Sequence, residues 1–137
     1  VEALDQAVVA LMIEKAPAVE NLDALLSVEG VDMVQFGPAD YAMSIGLPGQ
    51  FEHPKVLEAE KYVIETCHKK GIAPRAEIAR PDQAQKYLDM GVKHFCIGTD
   101  VSILFEWFKT AGGQMREALG LPKAEPVGRS RTTRYLG

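Results

Sequence analysis

Two acidic residues, Glu14 and Asp40, stand where chemistry could be done. Glu14 closes the apolar run Val8-Val9-Ala10-Leu11-Met12-Ile13, and Asp40 lies just beyond a second run at 31–36, at the start of a helical turn. Ionising a carboxylate beside such a run is costly unless something compensates it. On neighbouring parallel strands, both side chains would project into the same mouth. Two carboxylates without an obvious basic partner suit a hard divalent cation, since Mg²⁺ takes one or two protein carboxylates and keeps places for substrate and water. Spacing alone leaves a second reading open: Asp40 as a helix cap and Glu14 salt-bridged to a lysine such as Lys15.

Arg75 and Glu77 form a second polar set. Their i, i+2 spacing puts them on one face of a strand, with Pro74, Ala76 and Ile78 on the other. The apolar face belongs against helices, which leaves Arg75 and Glu77 inside a barrel. Arg75 could read a substrate carboxylate while Glu77 holds it in place, or the two could be a structural ion pair. The three histidines suit general base work poorly, because a base must reach the substrate by a hydrogen bond. His53 sits at a helix start beside Pro54, His68 on a lysine-rich helix end, and His94 at the start of the last strand. Cys67 and Cys96 have no metal-like spacing and read as buried free thiols in a reducing compartment.

These residues must be positioned by a fourfold alternation of short strands and helices. Strands are expected at 8–13, 31–36, 72–79 and 94–98, the apolar runs being typical of strands covered on both faces. Helices are expected at 17–28, 39–45, 54–70, 81–90 and 101–119, with Pro17, Pro54 and Pro81 near starts and Gly30, Gly71 and Gly91 as stops. In the helix 54–70, Val56, Tyr62, Val63 and Cys67 fall near one face. Residues 1–120 read as one domain and 121–137, rich in Pro, Gly, Ser and Arg, as an extended or disordered tail. Alternating strands and helices imply an α/β fold of parallel units with right-handed crossovers. An open doubly wound sheet usually carries a Gly-rich phosphate loop at a switch point, and none is here. In a barrel, function collects past the C-terminal strand ends, where Glu14, Asp40 and Asp100 fall. Half of an eight-stranded barrel fits better.

Composition narrows the classes. Of 137 residues, 47% are hydrophobic and 25% charged, the balance of a soluble globular chain. A formal charge of −4 gives no reason to expect nucleic acid, and no apolar run approaches a membrane span. The first residue is Val1, with neither an initiator Met nor a signal-peptide pattern, which suggests a processed or truncated product. A cytoplasmic location is expected.

The segment Phe36-Gly37-Pro38-Ala39-Asp40-Tyr41, with Met12-Ile13-Glu14, Val28-Glu29-Gly30-Val31-Asp32, His53-Pro54, Tyr87-Leu88-Asp89-Met90-Gly91 and Phe95-Cys96-Ile97-Gly98-Thr99-Asp100, resembles the HpcH/HpaI aldolases over roughly residues 7–119. The Gly-Pro-Ala-Asp step at its distance from Glu14 is the specific part. The resemblance implies the C-terminal half of a (β/α)8 TIM-type barrel and a class II pyruvate-type aldolase, reversibly cleaving 2-keto-4-hydroxy acids to pyruvate and an aldehyde. By motif, Glu14 and Asp40 match the metal ligands. Gly37, Pro38, Ala39 and Asp40 match the turn whose backbone amides receive the keto acid's carboxylate. The cofactor implied is a divalent cation (Mg²⁺, Mn²⁺ or Co²⁺) that chelates pyruvate and stabilises its enolate.

Two departures stand out: Met12 replaces a common Gln, and Arg75 and Glu77 replace small or apolar residues. No segment matches the family's catalytic His or its orienting Arg, so both are expected from the first half of the barrel. Ile103, Leu104, Phe105, Trp107 and Phe108 make the last helix apolar nearly all round. That pattern, with the family's packing habit, implies a homo-oligomer, a hexamer among its forms, joined through 101–119. The alternatives are a citryl- or malyl-CoA-type lyase, for which no basic CoA phosphate site is evident, and a non-catalytic half-barrel that assembles with a partner.

Overall fold

The computed structural model describes residues 6–122. Its elements run β1 (Ala10–Ile13), α1 (Ala16–Glu20), α2 (Leu22–Leu25), β2 (Met33–Phe36), α3 (Pro38–Ser44), α4 (Pro54–Lys70), β3 (Ala73–Ile78), a 3-10 turn (Pro81–Gln83), α5 (Gln85–Asp89), β4 (His94–Ile97) and α6 (Asp100–Ala118). The chain divides into two compact units, one ending at Gly98 and the other beginning at Thr99. The expected tail, 121–137, lies outside the described residues apart from Leu121 and Pro122.

The first unit is built on one parallel sheet in the order β1-β2-β3-β4. Sequential order with no switch point is the order of barrel strands and not of a doubly wound sheet. Ile13 is level with Phe36, Gln35 with Arg75, and Glu77 with Cys96. The Asp32 carboxylate accepts the Val9 N–H at 2.8 Å, and the Asp32 and Met33 N–H groups both donate to the Val9 carbonyl. This clasp pins the β1–β2 register at the end far from the acidic residues. Among the described residues, the outermost strands, β1 and β4, are each paired along one side only.

One face of the sheet is covered by helices. Ile13, Val34 and Phe36 pack with Leu22, Leu26, Val56, Val63 and Cys67, while Ala76 and Ile78 pack with Ile64, Tyr87 and Val92. The opposite strand face carries Met12, Gln35, Arg75 and Glu77, as parity requires. The helix α4 runs from Pro54, with the His53 ring accepting the Lys55 N–H, to Gly71, whose φ of 72° makes the left-handed stop. Tyr62 departs from its expected place and is 40% exposed, because Val56, Ala59, Val63, Ile64, Thr66 and Cys67 fill the buried stripe.

Two expected helices are broken. The segment 17–28 interrupts at Asn21, whose ψ of 22° leaves helical geometry, and the helical residues stop at Leu25. The segment 81–90 begins as a 3-10 turn, in which the Gln83 side chain accepts the Ala79 and Arg80 N–H groups, before α5 starts.

The second unit is α6. It opens with a reciprocal Thr99–Ser102 cap. Val101, Ile103, Leu104, Phe105, Trp107 and Phe108 are each more than half exposed. Among the described residues, no helix is long and apolar enough to cross a membrane.

Candidate metal and keto-acid site

Because Ile13 is level with Phe36, the next residues, Glu14 and Gly37, leave the sheet side by side, and the Gly37 N–H closes the ladder on the Ile13 carbonyl at 3.0 Å. The Glu14 side chain then lies directly over the Gly37 α-carbon. A Cβ at position 37 would stand 2.7 Å from Glu14 Cγ and 3.0 Å from Glu14 Oε1. Glycine here makes room for a carboxylate; its φ of −104° is open to any residue.

Gly37 is also the N-cap of α3, with Pro38 at the first position and Asp40 in the first turn. Proline suits that place, since its missing N–H has no helical partner anyway. Phe36 and Tyr41 pack at 5.1 Å between ring centroids, locking the start of α3 to the end of β2. Glu14, half-buried, and Asp40, exposed, therefore come from adjacent strand ends on either side of one glycine. Among the described residues, neither makes an ion pair or a protein hydrogen bond. The alternative of a Lys15 salt bridge and a capping Asp40 is not what the structure shows. No cluster of three or more His, Cys, Asp or Glu residues occurs among the described residues, so a cation here would rest on a carboxylate pair with outside ligands.

The amide donors differ from expectation. Gly37 uses its N–H in the ladder and Pro38 has none, so of the four residues assigned to the carboxylate-receiving turn only Ala39 and Asp40 offer N–H groups. Arg75 and Glu77 do face away from the helices, but they are not paired with each other among the described residues. Glu77 instead accepts a hydrogen bond from Gln35 Nε2 at 2.9 Å, and Gln35 is only 4% exposed. Arg75 is half-buried and level with Gln35, two residues deeper than Gly37, or roughly 7 Å along the strand. Glu77 borders a cavity of about 330 Å³ with Glu52, Asp82 and Lys86, at the small end of ligand-sized spaces.

Sequence reasoning missed Gln35, and it missed Ser44, whose hydroxyl joins the Glu14 loop to α3. A polar residue inside an apolar strand was the available signal for Gln35. Tyr41 packs in the core, whereas Met43 is 61% exposed. The histidines are occupied elsewhere or remote: His53 caps α4, His68 Nε2 bonds the Met90 carbonyl at 2.9 Å, and His94 is exposed at the opposite end of the sheet. Both cysteines are free, with Cys67 buried and Cys96 only half-buried.

The profile of the HpcH/HpaI aldolase/citrate lyase family matches residues 2–106. The chain belongs to this family. A 4-hydroxy-2-oxo-heptane-1,7-dioate aldolase from Escherichia coli is 38% identical over 103 residues, covering 75% of this chain and 39% of the relative. A 4-hydroxy-2-oxovalerate aldolase from Rhodococcus jostii (strain RHA1) is likewise 38% identical, over 75% of this chain and 40% of its own length. The HpcH/HpaI aldolase structure from Desulfitobacterium hafniense DCB-2 superposes with a TM-score of 0.76 at 30% identity, over 91% of this chain and 48% of that one. The citrate synthase SbnG, at 24% identity and a TM-score of 0.79, shares the fold. The chain thus spans about two fifths of the length of these curated aldolases, and its α/β sheet corresponds to half of their TIM-type barrel.

Proposed function

We propose that this chain carries the metal-binding part of a divalent-metal-dependent aldolase that reversibly cleaves 2-keto-4-hydroxy acids to pyruvate and an aldehyde. The observation that supports it is the Glu14 side chain laid over Gly37, three residues before Asp40, with neither carboxylate paired to a base among the described residues. Such a pair fits Mg²⁺, Mn²⁺ or Co²⁺, which prefer oxygen ligands and retain open positions. When bound, the cation supplies Lewis acidity for the negative charge that develops on the keto oxygen as the C–C bond breaks.

The chain's own groups bind and orient. The Ala39 and Asp40 N–H groups face the keto acid's carboxylate at the start of α3, where free amides attract anions. Arg75, on the strand face away from the helices and without an ion pair among the described residues, is assigned to a substrate carboxylate. His53 is engaged at the α4 cap, His68 with the Met90 carbonyl, and His94 starts β4, so the proton-transferring His and the orienting Arg are assigned to a part of the barrel outside this chain. Assembly is through α6, whose exposed Phe105, Trp107 and Phe108 suit a homo-oligomeric interface.

Calorimetric titration of Mn²⁺ tests the reading. Saturable binding is expected for the chain and is lost in Asp40→Ala; identical binding by the two removes the proposal. A panel of hydroxy-keto acids against acyl-CoA esters, run with the complementing half, separates this activity from a citryl- or malyl-CoA-type cleavage.

A further inference from the structure

We propose that Ser44 is a positioning residue, which sets the spacing of the two carboxylates by tying the loop after Glu14 to the helix that carries Asp40. The inference rests on the metal-site reading above. Ala16 begins α1, and the residue before it, Lys15, gives no side-chain cap. The Ala16 N–H is one of the orphan donors at a helix start. It donates to Ser44 Oγ at 3.1 Å, across 28 residues of sequence. The Ser44 hydroxyl in turn donates to the Tyr41 carbonyl at 2.8 Å. A hydroxyl has one hydrogen to give, so the bond to Tyr41 turns the oxygen lone pairs toward Ala16 and fixes the roles of both partners.

The position of this bond gives it leverage. The Gly37–Ile13 bond is the last rung of the β1–β2 ladder. Beyond it, among the described residues, the Ala16–Ser44 bond is the one hydrogen bond joining the Glu14 loop to α3. Ala16 follows Glu14 by two residues, and Tyr41 adjoins Asp40. The segments that carry the two acids are therefore joined on both sides of the site, by the Gly37–Ile13 rung and by the Ala16–Ser44 bond. The packing of Ala16, Ala18 and Val19 against the core holds α1 in place, and the tie adds the directional contact that orients the turn between Glu14 and Ala16 relative to α3. Ser44 is exposed, so truncating it leaves no core cavity and the effect falls on geometry.

Electron paramagnetic titration of Mn²⁺ with the 137-residue chain tests this, run where circular dichroism shows every variant folded. Ser44→Ala should bind about tenfold more weakly, as is common when a group that orients a metal ligand is removed. Ser44→Thr, which keeps the hydroxyl, should restore near-parent affinity. Ser27→Ala removes a hydroxyl that also bridges two segments, taking the Lys70 ammonium and bonding the Asp23 carbonyl, but far from the mouth. It should leave the affinity unchanged. Should Ser44→Ala fail to fold, Ser44→Cys carries the same expectation, since sulfur is a weak acceptor. Parent-like binding by Ser44→Ala, with loss in Asp40→Asn, overturns the Ser44 assignment alone. A parent that takes no Mn²⁺, or an Asp40→Asn variant that binds as tightly, overturns the metal reading and this inference with it.

Discussion

Replacing Gly37 with alanine separates the site's geometry from the fold's stability. The backbone there, at φ −104° and ψ 91°, accepts any residue, so the substitution acts through the new methyl alone. That methyl would lie 2.7 Å from Glu14 Cγ, against an ordinary carbon–carbon separation of about 3.5–4 Å. Glu14 must therefore retreat by about 1 Å. Overpacking of this kind costs roughly 1–3 kcal/mol, the low end applying to a half-buried side chain that can rotate. Alanine returns about 0.4–1 kcal/mol by restricting the unfolded chain. Net stability should fall by no more than about 2 kcal/mol in urea unfolding. Metal–ligand distances tolerate only about 0.2 Å, so the same shift should weaken Mn²⁺ binding by far more than the fold. A Gly37→Ala chain that binds Mn²⁺ as the parent does would refute the argument that this glycine exists to seat Glu14.

Other outcomes follow from the packing. Leu22→Ala, at a fully buried position, should lower unfolding free energy by about 3 kcal/mol in urea melts. Tyr87→Phe removes the 2.8 Å bond to Glu60, whose side chain is 13% exposed, and should cost about 2 kcal/mol by the same measurement. Burial raises the Cys67 thiol to about 11. The folded chain then holds a proton that the unfolded chain releases from its ordinary value of 9.0 upward, so this contribution to stability is intact below that pH and is lost between 9.0 and about 11. Unfolding followed against pH should show that decline, with Tyr87, raised by its burial and the Glu60 charge, adding to it in the same direction. In the folded chain an aromatic disulfide reagent should modify Cys96 quickly and Cys67 only on unfolding.

The strands were legible because a sheet face covered by helices demands apolar residues, and the register of neighbouring strands brings Glu14 beside Gly37 almost automatically. Helix ends at Pro54 and Gly71 were legible for equally local reasons. Pairing across the sheet was not. Alternation correctly put Arg75 and Glu77 on one face, but it says nothing of partners on the adjacent strand, and Gln35 takes the Glu77 carboxylate. The break at Asn21 and the 3-10 start at Pro81 were hidden within otherwise helical spacing, since both depend on backbone angles and side-chain bonds that periodicity does not record. Ser44 was least visible. A serine near a helix end looks like indifferent surface until the segment it clasps, 28 residues away, is seen.

The sheet's two margins have a consequence for recombination. β1 and β4 run in the same direction and present outward, on opposite sides, backbone groups that pair with no strand among the described residues. A parallel strand pair supplied by another polypeptide meets the same lattice of donors and acceptors at either rim, whatever its side chains. Matching halves from divergent relatives should therefore be exchangeable at the seams, with compatibility decided by the strand face away from the helices, where Met12, Gln35 and Arg75 lie.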